Sequence, residues 1–343
     1  MMNKKILVPI LSCLILTSCG DRAASSAQSQ PSDSPAVIEA SQEGAADEPE
    51  THETEAADMA DPGAADVPET PETPPASTVT IYDIDFGNME VPFDPSLPQT
   101  PYDWSLLEKQ GDRLSYADGT YASRFGVDVS KFQGEIDWEK AAADGVDFAI
   151  VRIGNRGYGD SGVLMEDPCA EANIKGALSH GIGVGTYFFS QAKTNEEARE
   201  EAEFTLSLLE KYGVTPNDLA YPVMVDSERI KSEDLTVSED QGRTRGLTNT
   251  EKTDTALIYC ERILEAGFGT GIYANSLWFT TRLQLDRIMN HVGDIAIWYA
   301  DYEIIDHGNP PLYPYDFSIW QYTEKGRVDG IEGEVDLNIS FEK

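Results

Sequence analysis

The sequence predicts an α/β fold, because short apolar runs typical of buried strands alternate with amphipathic helical segments from Phe125 onward. Eight runs of the strand type occur in this part of the chain, and such alternation is typical of a parallel barrel or an open α/β sheet. The candidate strands are 126–130, 148–153, 182–190, 221–225, 271–275, 295–302, 317–322 and 335–339.

Four segments between the earlier runs carry apolar residues at spacings of three and four, with acidic residues near their starts, as amphipathic helices do. These segments are 138–144, 169–180, 196–212 and 251–266. A glycine follows each one, where a left-handed residue commonly ends a helix; the four are Gly145, Gly181, Gly213 and Gly267. The last three strands have little helix between them, so we expect an irregular closure and not a regular eightfold barrel.

Residues 1–19 have the pattern of an export signal. Lys4 and Lys5 precede an apolar run over 6–16, which is too short to cross a bilayer as a helix because that takes about 20 residues. The run ends in Leu16-Thr17-Ser18-Cys19, which resembles the lipobox of bacterial lipoproteins, whose cysteine is acylated. We expect lipidation at Cys19 and anchoring in the membrane at the cell surface. The alternative is an ordinary secretory signal, and either signal takes the protein out of the cytoplasm.

Residues 20–78 are of low complexity, with 14 acidic residues, one Arg, eight Pro and no aromatic residue. Such a stretch cannot bury enough apolar surface to offset the entropy of ordering it, so we expect a disordered tether. Residues 79–122 are mixed, with a short strand predicted over 79–82 and a helical turn over 103–107. We expect this lead-in segment to pack on the outside of a barrel domain formed by 123–343.

The net charge of −36, from 61 acidic and 25 basic residues, makes nucleic acid a poor partner because phosphate binding needs a positive surface. No spacing of His and Cys typical of a metal site occurs, and no glycine-rich phosphate loop is present, so no cofactor is expected. Beyond Cys13 and Cys19, only Cys169 and Cys260 remain, and two buried free thiols are favoured slightly over a disulfide.

Two carboxylates at the end of the fourth strand are the main catalytic candidates. Alternation along this strand places Asp226 and Glu228 on one face, at the end of the strand where barrel active sites are built. Glycoside hydrolysis needs two such groups, one to protonate the leaving oxygen and one to stabilise or attack the cationic sugar centre. By itself the pair is weak evidence, because acidic pairs at strand ends are common.

Further acidic and aromatic residues near strand ends strengthen this interpretation. Asp128 and Asp336 interrupt apolar runs in the first and last strands, where a buried acid is costly without a role. Those strands are neighbours in a closed barrel, so the two acids can converge on the site. The substrate-binding candidates at other strand ends are Tyr187, Gln191, Trp298, Tyr299, Asp301 and Gln321. For Trp298, ordinary core packing is at least as good an explanation.

Five blocks of sequence resemble, in the same order, the motifs of glycoside hydrolase family 25 lysozymes. They are FGVDVSKFQG at 125–134 with IDW at 136–138, RGYG at 156–159, GTYFFSQ at 185–191, PVMVDSE at 222–228, and IWQY at 319–322 with VDLN at 335–338. Tyr158, in the second block, joins the substrate-binding candidates. One departure is Ser227, where many members carry an aromatic residue.

The resemblance implies an irregular TIM-like barrel, (β/α)5(β)3, and an N-acetylmuramidase. The implied reaction cleaves the β-1,4 bond between N-acetylmuramic acid and N-acetylglucosamine of peptidoglycan with retention. By position, Glu228 is the general acid and base and Asp226 the second carboxylate, which acts as nucleophile or assists the substrate's N-acetyl group. Asp128 and Asp336 complete the site. We expect a monomer, with residues 231–249 forming a loop over the cleft.

Two other functions are less favoured. A family 18 chitinase would need further aspartates before Asp226, and its DxxDxDxE pattern is absent. A non-catalytic module that binds the cell wall on the same fold is the main alternative, although a binding protein has no need of a proton donor.

Overall fold

The computed structural model describes residues 77–343, apart from 85, 160 and 231–241. The predicted signal, Cys13, Cys19 and the predicted tether up to residue 76 lie outside the described residues. No helix within the described part of the chain is long and apolar enough to cross a membrane. Cys169 and Cys260 are both free thiols, as the sequence favoured.

The described residues form strands and helices in the following order. The strands are β1 (Thr78–Asp83), β2 (Gly87–Pro92), β3 (Leu107–Gln110), β4 (Arg113–Tyr116), β5 (Ala122–Val129), β6 (Phe148–Arg156), β7 (Leu164–Glu166), β8 (Gly183–Phe189), β9 (Val223–Asp226), β10 (Thr270–Asn275), β11 (Ile295–Ala300), β12 (Ile319–Gly326) and β13 (Val335–Glu342). The helices are α1 (Trp138–Ala143), α2 (Ala170–Ser179), α3 (Asn195–Tyr212), α4 (Asn249–Glu265), α5 (Ser276–Thr281), α6 (Leu285–Met289) and α7 (Glu303–Asp306). Short 3₁₀ turns cover Trp104–Leu106, Lys131–Gln133 and Arg243–Gly246.

Eight strands close into a barrel in the order β5, β6, β8, β9, β10, β11, β12, β13, and β13 returns to β5. All neighbours are parallel except at β13, which runs antiparallel to both β12 and β5. Because these eight strands close on themselves, they leave no free edge between them. The fold is therefore the barrel and not the open sheet, both of which the sequence allowed. All eight predicted strands and all four predicted helices are present, whereas the division into (β/α)5(β)3 stays a prediction.

The long helices begin and end at the residues that their sequences indicate. The Thr194 side chain accepts a hydrogen bond from the backbone N–H of Glu197 at the start of α3, and Thr248 and Glu251 cap each other at the start of α4. Gly213 ends α3 in the left-handed region, at φ 74°. These local signals explain why the helix bounds could be predicted closely.

The barrel has one apolar layer inside and another between its strands and the surrounding helices. The inner layer consists of Phe148, Ile150, Met224, Tyr273, Trp298, Ala300 and Ile319. Phe148 stacks on Tyr221, with ring centroids 4.3 Å apart, and its ring leaves no room for a side chain at Gly126. A Cβ at Gly126 would lie 2.4 Å from that ring, so glycine is required there. Aromatic packing thus fills the barrel interior below the ends of the parallel strands.

The segment before β5 packs against the barrel through aromatic residues. Tyr102 stacks on Phe341, with ring centroids 4.0 Å apart, and its hydroxyl donates to the carbonyl of Phe317 at 2.6 Å. Two hairpins, β1–β2 and β3–β4, make up much of this segment. The sequence indicated β1 and the 3₁₀ turn at Trp104–Leu106, whereas β2, β3 and β4 were not predicted.

A buried ion pair ties α3 to the ends of β6 and β8. Arg156 Nε donates to Glu201 at 2.8 Å, and Glu201 also accepts from the Ser190 hydroxyl and the Gln191 backbone N–H. Burial raises the pKa of Glu201 to about 7, although Arg156 and Ser190 oppose the shift. The pair therefore fixes two strand ends next to the pocket described below.

Replacing Arg156 by Met should lower the free energy of unfolding by about 3 kcal/mol at pH 8, because Glu201 is left buried without its cation. The loss should be smaller at pH 5.5. The pKa of folded Glu201 lies above that of the unfolded chain, so its protonation favours folding as the pH falls. Urea unfolding at both pH values measures this. Arg262→Met, which removes an exposed pair with Glu203, is the control and should cost about 1 kcal/mol or less. Equal losses of unfolding free energy for the two variants would contradict the stabilising role of the buried Arg156–Glu201 pair.

Candidate active site

Four carboxylates face one pocket of about 600 Å³ at the end of the barrel where the parallel strands finish. Asp128 and Asp226 lie at the ends of β5 and β9, and Glu228 follows β9 directly. Asp336 is the second residue of β13, and because β13 runs antiparallel, its beginning lies at this same end. The structure thus brings together the four acids that the sequence singled out.

Asp128 and Asp336 form a hydrogen-bonded carboxyl pair across neighbouring strands. They are direct partners in the register of β5 and β13. Burial raises the pKa of Asp128, and the hydrogen bonds that Asp128 Oδ2 accepts from the amides of Gln321 at 2.9 Å and Asn338 at 2.7 Å oppose this shift. Burial and the charge of Asp128 raise the pKa of Asp336 to about 10. Asp336 therefore carries the proton of the pair at neutral pH.

Relative to the unaltered protein, Asp336→Asn should gain stability between pH 5 and pH 8, by about 4 kcal/mol at most, because a proton bound only in the folded state changes the stability by about 1.4 kcal/mol per pH unit. The pKa of Asp336 is raised in the folded protein, so the favourable contribution of its proton is complete below about pH 4 and is lost as the pH rises towards 10. An amide keeps a donor for Asp128 and cannot be deprotonated. Denaturant unfolding across this pH range tests this, with Asp254→Asn at the surface as control. A difference in unfolding free energy between Asp336→Asn and the unaltered protein that did not change with pH would contradict the raised pKa of Asp336.

Asp226 and Glu228 lie next to each other on the floor and rim of the pocket. Asp226 is buried, and its Oδ1 atom accepts no hydrogen bond from any residue that the structure describes. Burial, followed by the charges of Glu228 and Asp128, raises the pKa of Asp226 well above its usual range. The raised pKa favours the protonated form of Asp226, and a reaction that needs one acid and one base requires carboxyls that differ in protonation.

Arg152 is a cation that lines this acidic pocket together with Lys131. It lies on β6, and its guanidinium donates to Asp167 Oδ2 at 2.7 and 2.8 Å. Asp167 is buried and also accepts the backbone N–H of Lys131, so the arginine is held in place. Arg152 lowers the pKa of Asp226, although the effects of burial and of the neighbouring acids are larger. Its charge offsets part of the repulsion among the four acids.

Aromatic side chains line the pocket at the rim. Tyr187 on β8 packs edge-on against Trp298, with ring centroids 5.7 Å apart, and its hydroxyl remains neutral because burial and Asp128 raise its pKa. Tyr158 and Phe132 are 64% and 76% exposed. The Phe132 ring lies 5.0 Å from the Arg152 guanidinium. Exposed rings beside acidic groups are typical of sites that bind sugars, whose faces are apolar and whose edges are polar.

Trp298 and Gln321 lie behind the pocket and not on its surface. Trp298 Nε1 donates to Asn338 at 2.8 Å, and Asn338 in turn donates to Asp128. Gln321 donates to Asp128 and accepts from the hydroxyls of Tyr273 and Tyr302, each at 2.9 Å. Neither residue lines the pocket, and both orient Asp128, so their contact with substrate stays a prediction.

Three other predicted substrate-binding residues are buried away from the pocket. Tyr299 lies on the outer face of β11, stacks on Tyr313 at 4.7 Å and donates its hydroxyl to Asp301. Strand alternation explains this, because Trp298 and Ala300 point inward. Gln191 lies beyond the end of β8, where alternation no longer applies, and its Oε1 accepts the backbone N–H of Arg243. None of the three lines this pocket, and their contact with substrate stays a prediction.

Three residues at the site were not predicted from the sequence, namely Arg152, Phe132 and Asn338. Arg152 interrupts an apolar strand as conspicuously as Asp128 does, and Asn338 follows Asp336 by two positions and so shares its face. These signals were visible in the sequence. Ser227 points to the other side of the strand, where its hydroxyl accepts from Trp278 Nε1 at 3.2 Å, in keeping with a packing role.

Part of the segment predicted as a loop over the cleft lies outside the described residues, namely 231–241. In its described remainder, Arg243 forms an ion pair with Glu197 at 2.7 Å and donates to the carbonyl of Gln191 at 2.8 Å. These contacts anchor the end of the segment on α3 and on the residues after β8.

Comparison with known proteins gives a family match to Glycosyl hydrolases family 25 over residues 127–331. Lysozyme M1 from Streptomyces globisporus is 24% identical to the chain over 213 residues, which are 62% of this chain and 66% of that protein. Autolytic lysozyme from Clostridium acetobutylicum is 20% identical over 213 residues, 62% of this chain and 54% of that protein. The chain thus spans about half to two thirds of the length of these relatives.

Solved structures share the fold. The modular autolysin LytC from Streptococcus pneumoniae in complex with synthetic peptidoglycan ligand has a TM-score of 0.52 and 22% identity, covering 77% of this chain and 56% of that chain. The spore cortex lytic enzyme SleM from Clostridium perfringens has a TM-score of 0.50 and 22% identity, covering 64% and 67% of the two chains. At this level of identity the similarity establishes a common fold.

Proposed function

Since the chain belongs to glycosyl hydrolase family 25, we propose that it hydrolyses the β-1,4 bond between N-acetylmuramic acid and N-acetylglucosamine in bacterial peptidoglycan, with retention of configuration. The observation that carries the proposal is the pair Asp226 and Glu228 at the pocket end of β9, facing Asp128 and Asp336. Lysozyme M1 and the autolysin LytC with its peptidoglycan ligand support this choice of substrate.

Glu228 is the general acid that protonates the leaving oxygen and then the base that activates water. It lies at the rim of the pocket, where the departing sugar and the incoming water have access to it. Asp226 lies deeper and acts on the substrate's N-acetyl group. The Asp226 carboxyl lines the pocket and is suited to accept the amide N–H and so to hold the acetyl oxygen against the anomeric carbon.

Asp128 and Asp336 hold a single negative charge between them, opposite the sugar centre that becomes cationic. This charge is fixed by the amides of Gln321 and Asn338 before substrate binds, as electrostatic stabilisation of a transition state requires. Tyr158 and Tyr187 contact the sugars, joined by Phe132 and Arg152. Trp298 and Gln321 act through Asp128.

Release of soluble fragments from purified peptidoglycan tests this function against wall binding alone. A form of the protein that starts at Gly20 is incubated with insoluble peptidoglycan, and both the soluble fragments and the protein in the pellet are measured. Release of muropeptides supports hydrolysis. If the protein pelleted with the wall and released nothing, it would be the binding module that the sequence left open.

We further propose that the protein acts as a monomer and is a lipoprotein retained at the cell surface through Cys19. Cys19→Ala should move most of the protein from the membrane fraction to the medium or the soluble fraction, because the acyl chains are what holds it. Fractionation and immunoblotting measure this, with Cys13→Ala as the control that leaves the anchor intact. Continued membrane retention of Cys19→Ala would contradict the anchor.

A further inference from the structure

The hairpin β1–β2 lies outside the region that matches the family, which begins at residue 127. Two features are described next to its tip. The side chain of Asp83 accepts the backbone N–H of Phe86 at 3.0 Å, and Gly87 adopts the left-handed conformation at φ 71°. The hydrogen bond ties the backbone of Phe86 to the end of β1.

Contacts along the hairpin place it at the pocket end of the barrel. Ile81 is fully buried and Val91 nearly so, and the hairpin packs on α5, the helix that follows β10. The Tyr82 ring lies edge-on to His307, with centroids 5.5 Å apart, in the segment after β11. Residues that follow parallel barrel strands lie at the end where active sites are built. The hairpin thus joins the strand-end loops that surround the site.

Phe86 contacts the residue that follows the proposed catalytic acid in the chain. The guanidinium of Arg229 is 5.3 Å from the centre of the Phe86 ring, and Arg229 follows Glu228. The ring is 49% exposed. The hairpin thus holds a half-exposed aromatic ring against the residues that continue from β9 beyond Glu228.

The position of Phe86 complements the aromatic residues already described. Phe132 and Tyr158 follow β5 and β6, whereas Phe86 lies next to the residues after β9, with its hairpin on the side of β10 and β11. We propose that Phe86 forms an additional saccharide-binding subsite, which extends the cleft for a longer strand of β-1,4-linked N-acetyl sugars. The proposal rests on the glycosidase function above and adds a substrate-length preference to it.

The chemistry of the substrate fits this position. A pyranose ring presents C–H groups on its face, and such a face packs on an aromatic ring while its hydroxyl and amide groups remain solvated. A glycan strand is a linear polymer, so a ring displaced from the point of cleavage binds a sugar that does not react. Binding at such a subsite lowers KM for long strands and leaves kcat nearly unchanged.

The test compares Phe86→Ala with the unaltered protein on glycan strands of increasing length. Phe86→Ala should raise KM about five- to tenfold on long strands, leave short strands nearly unaffected and keep kcat within about twofold. Phe86→Trp should retain the length preference. Phe86→Leu keeps apolar bulk for the hairpin but lacks the ring, so it should behave like the alanine variant. Leu106→Ala, another exposed apolar residue before β5, is the matched control.

Three results would overturn the subsite. They are Phe86→Ala kinetics equal to those of Leu106→Ala, a fall in kcat that is the same at every length, and full rescue by leucine, which would mark a structural anchor. Pelleting with insoluble peptidoglycan, with each variant placed on a Glu228→Gln background, measures binding without turnover. If the unaltered protein cleaved no peptidoglycan, the proposed function would fail. If it cleaved well and Phe86→Ala did too at all lengths, only the subsite would fail.

Discussion

Glu228→Gln should reduce the rate of peptidoglycan hydrolysis about 10³-fold or more, because glutamine cannot donate a proton to the leaving oxygen or take one from water. Glutamine has nearly the same shape as glutamate, and Glu228 lies at the rim of the pocket. Binding to insoluble peptidoglycan should therefore persist within a few-fold. Initial rates of fragment release, together with a pelleting assay, measure both quantities.

The matched control for this variant is Glu171→Gln, on the surface of α2, where Glu171 forms an exposed pair with Lys175. This control makes the same change, from glutamate to glutamine, far from the pocket, and it should retain full activity. A Glu228→Gln protein that kept more than about a tenth of the original rate would contradict a role as general acid, for which such losses are typically 10²- to 10⁴-fold.

Asp226→Asn should lower kcat by about 10²- to 10³-fold, with a smaller change in KM, because the carboxylate is needed most when positive charge develops at the sugar.

The Asp226→Asn variant also removes one of two adjacent acids. Asp226 in the unaltered protein has its pKa raised by burial and then by the charges of Glu228 and Asp128, so the two acids interact electrostatically. Removing one should move the basic limb of the pH–rate profile to lower pH, since a neighbouring negative charge favours retention of a proton.

Azide distinguishes the two roles open to Asp226. If Asp226 attacked the sugar directly, Asp226→Ala would leave space in which azide could form a glycosyl azide. In the proposed mechanism the substrate's own N-acetyl group makes the attack, so no such product is expected. Mass spectrometry of the products detects it, and its appearance would reassign Asp226 as the nucleophile.

The strands and helices were predictable because their signals are local. Helix α3 is marked by Thr194 at its start and Gly213 at its end, and the barrel strands by short apolar runs. The short helices α5, α6 and α7 and the edge strand β7 lack such signals, since they span only three to six residues each. Their conformation depends on packing against neighbours distant in sequence.

Strand alternation predicted which residues within the strands face the pocket. It could not predict the direction of residues beyond the strand ends. Asp128, Asp226 and Asp336 lie within strands, and their direction follows from a period of two. Gln191 and Asp301 lie just past strand ends, and Tyr299 lies on the opposite face from Trp298. The hairpin that carries Phe86 packs on α5 through tertiary contacts, and no pattern within residues 78–92 indicates that position.

Identification of the reducing end produced from peptidoglycan tests the proposed muramidase activity most directly. Fragments released by the unaltered protein are reduced with borohydride and sequenced by mass spectrometry. We expect that the reduced sugar is N-acetylmuramic acid and that Glu228→Gln releases no such fragments. Reduced N-acetylglucosamine at the new ends, or equal release by the variant, would contradict this activity.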